Sequence, residues 1–258
     1  MKDSSRRADC AACGGLTRRD FLTLGAAALW TPPAPALAYA DVPAVMPREV
    51  AGVAMPRSAY AVRAAEFAKQ CQPDFLFNHG MRTFVFGALY VRKRGLAFDA
   101  DAAFAAAALH DLGLLPAFAS EQASFEIDGA NAAEKFGRSA GMPPRRADVI
   151  WHSVEMHDGK WALTSRQGAE AMLVAAGAAA DVDGPDDSAV NADEVAAAVA
   201  AFPRLQFKAR FTALLTDHCR RKPLSQQSTW LEGLCRQTAP SAWTETVEHE
   251  IAAAPFAE

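Results

Sequence analysis

Cysteine, excess basic charge and long apolar runs are all scarce in this chain, and each shortage removes a class of protein. Five cysteines in 258 residues are too few for a disulfide-built scaffold. Cys10 and Cys13 form a CxxC with no second pair at zinc-site spacing. Cys71, Cys219 and Cys235 remain, an odd set in which Cys219 and Cys235 either bridge or stay as buried thiols. Lysine and arginine number 26 against 30 acidic residues, and past the N-terminus no cluster of lysine and arginine interleaved with aromatics occurs. No nucleic-acid partner is therefore expected. The apolar stretch from Phe21 to Leu29 is about nine residues long, where a membrane-spanning helix needs about 20. No helical repeat of about 33 to 47 residues is visible, no run alternates with period two, and HExxH is absent.

What the chain has in quantity is alanine, apolar residues and helical periodicity. A composition of 51% hydrophobic and 22% charged residues suits one large domain with a substantial core, and the expected fold class is all-α. Residues 41–57 read as a Pro-rich lead (Pro43, Pro47, Pro56). From 58 onwards the chain reads as a single helical domain to 258. Ser58 caps a helix through AYAVRAAEFAKQC, and a second runs from about Asp74 to Lys93 with His79 near its start. A third begins at Asp99 and carries His110-Asp111 in its last turn, with Gly113 placed to end it. A short helix from about Gly129 to Gly141 follows, then one from Arg145 to His157. Another, capped by Thr164 or Ser165, delivers Asp181 at its end. Later helices are expected over about 191–201, 204–220, 226–238 and 242–253.

The N-terminus has a different character. Residues 17–22 read TRRDFL, then LGAAALW and PAPALAYA: paired arginines, a short weakly apolar stretch and small residues suited to cleavage. The segment resembles a bacterial twin-arginine export signal. That resemblance implies recognition by the twin-arginine export machinery, a periplasmic location, and removal of residues 1–40 near Ala40, with no stable membrane anchor afterwards. Cleavage removes five basic and three acidic residues, leaving a more acidic chain. Cys10 and Cys13 would leave with the leader.

The chemistry centres on FDADAAFAAAALHDLGL, residues 98–114. A helix this apolar is buried, so its end carries an imidazole and a carboxylate into the interior, where they are costly unless compensated. A divalent ion is one compensation; a hydrogen-bonded core histidine with Asp111 capping the next turn is the other. His79, His110, Asp111 and Asp181 come from three different helices. A helical bundle can assemble a metal site in that way, one ligand from each facing helix.

The order H…HD…D is the signature of the HD superfamily of metal-dependent hydrolases, and the chain resembles a member. FNHGMRTFVFG is similar to the first-ligand helix of the cyanamide hydratase-type HD family, ALHDLGL to its central motif, SFEIDGA to its FE-x-x-G element, and DVDG with Phe202-Pro203-Arg204 to its closing elements. These matches cover roughly residues 70–210. The resemblance implies an HD-domain helical bundle holding one divalent ion, zinc in the first place, with manganese, iron or nickel as alternatives. Its ligands would be His79, His110, Asp111 and Asp181, with Asp183 the alternative to Asp181.

An ion with an open coordination position lowers the pKa of a bound water from 15.7 toward about 7 and so supplies a nucleophile. Two residues are candidates for catalysis. Glu126, in a glycine-ended loop, would move the water's proton, unless it merely complements the following helix dipole. His152 would bind substrate, relay a proton or hold a second ion. His157, about 140° around a helix from His152, reads as a surface or loop histidine, and His218 and His249 as solvated. Arg82, one turn from His79, and Arg204 are the candidate substrate-binding cations, each with salt-bridge or solvated alternatives. The leading expectation is an exported hydratase or hydrolase acting on a small molecule, with cyanamide hydration as the nearest analogy. A phosphohydrolase is the second reading, and a metal-binding protein without turnover the third. Nothing in the sequence sets the oligomeric state.

Overall fold

The computed structural model describes residues 46–158, 161–185, 189–244 and 247–255. The expected leader, residues 1–40, and the first residues of the Pro-rich lead lie outside them. The rest of the lead makes a small antiparallel hairpin, β1 (Glu49–Val50) with β2 (Val53–Ala54). Ala51 and Gly52 turn it with φ of 51° and 73°, and two residues per strand are too few to register as alternation in the sequence.

All other regular elements among the described residues are helical, so the fold is all-α. Local capping sets where several begin. Ser58 accepts the N–H of Ala61 to start α1 (Ala59–Cys71), and Pro73 precedes α2 (Asp74–Lys93). The Asp99 carboxylate accepts the N–H groups of Asp101 and Ala102 at the start of α3 (Ala100–Leu109). Caps of this kind contribute about 1 kcal/mol each. Ser124 caps α4 (Phe125–Ser139), four residues earlier than the expected start at Gly129, which puts Glu126 in a helix rather than a loop.

The helix α5 (Pro144–Glu155) stops two residues short of His157. Gly168, at φ 127°, separates α6 (Trp161–Gln167) from α7 (Ala169–Val182), so Thr164 and Ser165, the expected caps, lie within α6 and the helix that delivers Asp181 starts after Gly168 instead. Asn191 and Glu194 make a reciprocal capping box on α8 (Ala192–Ala201). The chain ends with α9 (Phe207–Arg221), α10 (Glu232–Thr238) and α11 (Val247–Ala252). No helix among the described residues is long and apolar enough to cross a membrane.

Two features of the packing position the site. The first is α3, buried on every side from Ala102 to Leu109. Such a helix has no solvent face, and whatever follows it emerges inside the molecule. The second is the crossing of α2 and α7. A Cβ on Gly87 would lie 2.0 Å from the Leu173 carbonyl oxygen, and one on Gly177 would lie 1.9 Å from that of Thr83. Only hydrogen at both positions lets the two backbones approach this closely, and the approach carries His79 on α2 alongside Asp181 on α7.

Beyond these helices, Cys219 of α9 and Cys235 of α10 form a disulfide, resolving the alternative left open by their spacing. The expectation of a solvated His218 is overturned. Its ring is fully buried, it accepts a hydrogen bond from Gln226 Nε2 at 3.0 Å, and burial followed by the charge of Lys222 lowers its pKa to about 4.

Gly177→Ala tests the crossing. On propensity alone alanine would stabilise a helix by about 1 kcal/mol, but the clash with the Thr83 carbonyl should reverse the sign and destabilise by about 1–3 kcal/mol. A urea midpoint at or above wild type would show that the helices are not held together there.

Candidate metal centre

His110 continues the α3 backbone in helical conformation (φ −60°, ψ −32°), and Asp111 (φ −94°, ψ 9°) leads into a single 3₁₀ turn, Leu112–Leu114. The helix therefore ends at Leu109, before the turn that contains Gly113. Both side chains point inward, 2% and 3% exposed, and meet His79, which is 1% exposed. Among the described residues these three form a cluster whose ligand atoms all lie within 4.8 Å of one another. His79 Nε2 is 3.2 Å from His110 Nε2 and 3.5 Å from Asp111 Oδ2, and His110 Nε2 is 3.3 Å from that same oxygen.

The second nitrogen of each ring decides what these contacts mean. His110 Nδ1 lies 2.8 Å from the Ala107 carbonyl, which can only accept, so the proton sits on Nδ1 and the lone pair on Nε2. His79 Nδ1 lies 2.7 Å from Asp181 Oδ2, which sets the same tautomer. Two lone pairs therefore face each other across 3.2 Å, beside Asp111 Oδ2, a buried oxygen with no hydrogen-bond partner. Three electron-rich atoms without a cation between them would repel. Donors about 2.0–2.2 Å from a tetrahedral ion lie about 3.4 Å apart, so the triangle fits one divalent ion held by His79, His110 and Asp111.

The electrostatics agree. Burial tends to raise the Asp111 carboxyl's pKa, and His110, then His79 and His157, more than reverse this, leaving it well below the usual carboxylate range. For His110 burial acts to lower the pKa, but Asp111 and the Ala107 carbonyl outweigh it and the net direction is up. For His79 burial prevails and the direction is down.

Asp181 is not in the triangle. Its Oδ1 accepts from Arg82 Nε at 2.8 Å and Arg204 at 2.5 Å, and its Oδ2 from Arg82 at 2.7 Å and from His79 Nδ1. Four donors saturate its two oxygens. Instead of meeting the ion, it fixes the tautomer and orientation of His79, the usual task of a carboxylate behind a metal-binding imidazole.

Arg82 and Arg204 are thereby corrected as substrate-binding residues. Arg82 is fully buried and also donates from Nη1 to the Phe202 and Pro203 carbonyls. Arg204 also donates to the Asp181 backbone oxygen. Neither lines the cavity beside the cluster.

That cavity, about 150 Å³, opens from His79, His110 and Asp111. Phe125, Phe211 and Trp230 form aromatic walls, α7 contributes Ala175, Ala178, Ala179 and Val182, and Asp158 and Asp183 add negative charge. His152 is not on it. Its ring is exposed and packs against its neighbour Trp151, so the structure does not support a catalytic part for it. Glu126 is 1% exposed and follows Phe125 in the first turn of α4, yet does not itself line the cavity.

The residue that the sequence reading passed over is His157. Because α5 ends at Glu155, the 140° helical offset from His152 does not apply. The turn buries His157, with Nδ1 2.5 Å from the Val154 carbonyl and Nε2 3.8 Å from Asp111 Oδ1, on the cavity wall. Burial, then the charge on His110, lowers its pKa to about 4. Its Nε2, the nitrogen without the proton, is thus on the Asp111 side of the ring.

Comparison with known families bears on this geometry. Residues 76–199 match the HD domain. The HD domain is an all-α, divalent-metal-binding fold whose members are generally metal-dependent hydrolases. The matched stretch runs from within α2 to within α8 and includes His79, His110, Asp111, His157 and Asp181. It stops before α9 and the segment carrying Trp230, which supply two of the aromatic walls. No curated protein matches the chain.

Asp181→Asn separates the two roles of this carboxylate. Removing the charge leaves Arg82 buried without its partner, so stability should fall by about 3–5 kcal/mol, while the ion is retained with about 10- to 100-fold weaker affinity. His110→Ala and Asp111→Ala, each deleting a donor, should lose the ion. Elemental analysis in metal buffers measures this; equal loss in all three variants would return Asp181 to the donor set.

Proposed function

We propose that this chain is an exported, metal-dependent hydrolase or hydratase of the HD type that adds water to a small uncharged substrate. Nitrile hydration of the cyanamide hydratase kind is the nearest analogy. One observation carries the reading: two imidazole lone pairs and a partnerless carboxylate oxygen converge at the inner end of a cavity large enough for a small organic molecule. Zinc suits this nitrogen and oxygen set best, with manganese, iron or nickel as alternatives. The ion, when bound, supplies Lewis acidity and lowers the pKa of coordinated water.

The chain's own residues do the rest. Asp181, locked by Arg82 and Arg204, holds His79 with Nε2 turned to the site. His157 is neutral at pH 7, and its Nδ1 is held by Val154. Its Nε2 is thus free to take a proton from water in the cavity and return it to the product. The walls of Phe125, Phe211 and Trp230 limit water around the reacting group.

The phosphohydrolase reading is less well supported. A phosphate site needs converging arginine or lysine, and no lysine or arginine is among the residues lining this cavity. Arg82 and Arg204 are both engaged with Asp181, and Asp158 and Asp183 would repel an anion. Export is supported by the twin-arginine-like leader and by the Cys219–Cys235 disulfide, a bond typical of oxidising compartments.

Mature protein loaded with zinc or manganese is expected to turn over members of a set of cyanamide, small nitriles and amides and to leave phosphomonoesters intact. His157→Gln should lower that turnover by about 10²- to 10⁴-fold with the ion still bound. Phosphomonoester hydrolysis as the main activity would replace the proposal, and full metal with no turnover would favour a binding protein. For export, changing Arg18 and Arg19 together to Lys should trap the precursor in the cytoplasm; an undiminished periplasmic yield would remove that assignment.

A further inference from the structure

A second cavity, about 480 Å³, adjoins the first, and Val182, Phe211 and Trp230 are walls of both. Its other apolar walls are Phe207 and Leu215 on α9 and Leu231 and Leu234 at α10, with Thr212 and Lys208 as polar members. We propose that this groove is the tail site of the same centre, so that the substrate joins a small hydrolysable head to an uncharged alkyl or aryl tail. The head sits at the histidines, and the tail runs past Trp230 between α9 and α10. The inference rests on the metal-dependent reading of the first cavity and names the class of molecule it takes.

Three observations support a tail rather than a gap in the packing. A cavity of about 150 Å³ holds little more than a benzene-sized molecule, and the walls continue as apolar surface beyond it. Trp230, at the junction, is 51% exposed. A large aromatic left this open beside a reaction centre is surface that a bound apolar group would cover. The two sides of the groove are joined covalently, since Cys219 and Cys235, both fully buried, tie α9 to α10. A groove whose width is set in advance takes up a flexible chain without first having to be ordered.

Linear alkyl hydroxamic acids, from acetohydroxamic to octanohydroxamic, provide the test, because the head seeks the ion and only the tail varies. Calorimetry on zinc-loaded mature protein should show affinity rising by about fourfold per methylene once the chain passes Trp230, then levelling off. Thr212→Phe, at an exposed position on the groove wall, should abolish the chain-length gain and leave acetohydroxamic acid unaffected. Leu234→Ala, which lengthens the groove, should move the plateau to longer chains.

Octanamide reports on the groove without the ion. It should bind metal-free protein and be excluded by Thr212→Phe. Failure of acetohydroxamic acid to bind, with octanamide still bound, would sink the metal reading and leave the tail site standing. Affinity independent of chain length, or a gain that survives Thr212→Phe, would overturn the tail site itself.

Discussion

The aim of His79 into the cluster, and the joining of α2 to the end of α7, depend on one buried carboxylate. Asp181 receives four N–H donors from three residues in two parts of the chain: His79 and Arg82 from α2, and Arg204 from the segment before α9. Removing a carboxylate and a guanidinium from water is expensive, and their attraction compensates only when the geometry is good and the remaining hydrogen-bonding capacity is met. Here Arg82 bonds both carboxylate oxygens through Nε and Nη2 and turns Nη1 to the Phe202 and Pro203 carbonyls. The network is thus a clamp that joins the first helix of the site to the last and aims one imidazole.

The close crossing of α2 and α7 is the geometric side of the same constraint. Gly87 and Gly177 remove the side chains that would hold the backbones apart, and without that approach His79 and Asp181 would be too distant to bond. α3 enters beside them with no polar side chain from Ala102 to Leu109, so its end can be fully desolvated at no hydrogen-bonding cost until His110. Alanine richness, which in composition reads only as helix propensity, serves here as thin packing: small side chains bring three helix axes close enough for their few polar residues to converge.

Much of this was legible in the sequence, and where it was not the reason is physical. Ser58 and Asp99 announce their helices because a cap acts within one turn, and α1, α2 and α8 follow the expected bounds closely. His110 and Asp111 were legible because a buried polar pair at the end of an apolar helix needs compensation, and His79 joined them only through the resemblance to the H…HD…D order. Asp181 was legible as a member of the site but not in its role. Arg82 shares a face with His79, so pairing with a carboxylate was foreseeable, whereas which carboxylate depends on the α2–α7 crossing. His157 was hidden by continuing α5 two residues too far. A histidine just past a helix end obeys no helical wheel, and its burial comes from Phe125 and His110, residues of distant elements. Phe211 and Trp230 carried no local signal, because an aromatic at helical spacing looks the same whether it fills a core or walls a cavity.

The placement of charge narrows the chemistry further than the donors do. A site built to hold phosphate would present its guanidinium groups to the ligand; this one places two of them behind a carboxylate, where they stabilise the fold and leave the cavity without cationic side chains. The remaining charges at the cavity, Asp111, Asp158 and Asp183, are negative, and an ion at the histidines would offset the innermost. An anionic substrate would meet Asp158 and Asp183 on its way in, with only that ion to favour it, whereas an uncharged one would lose little on entering and gain from apolar contact with Phe125, Phe211 and Trp230. The contacts that aim His79 thus also keep two guanidinium groups out of the cavity, because both clamp Asp181.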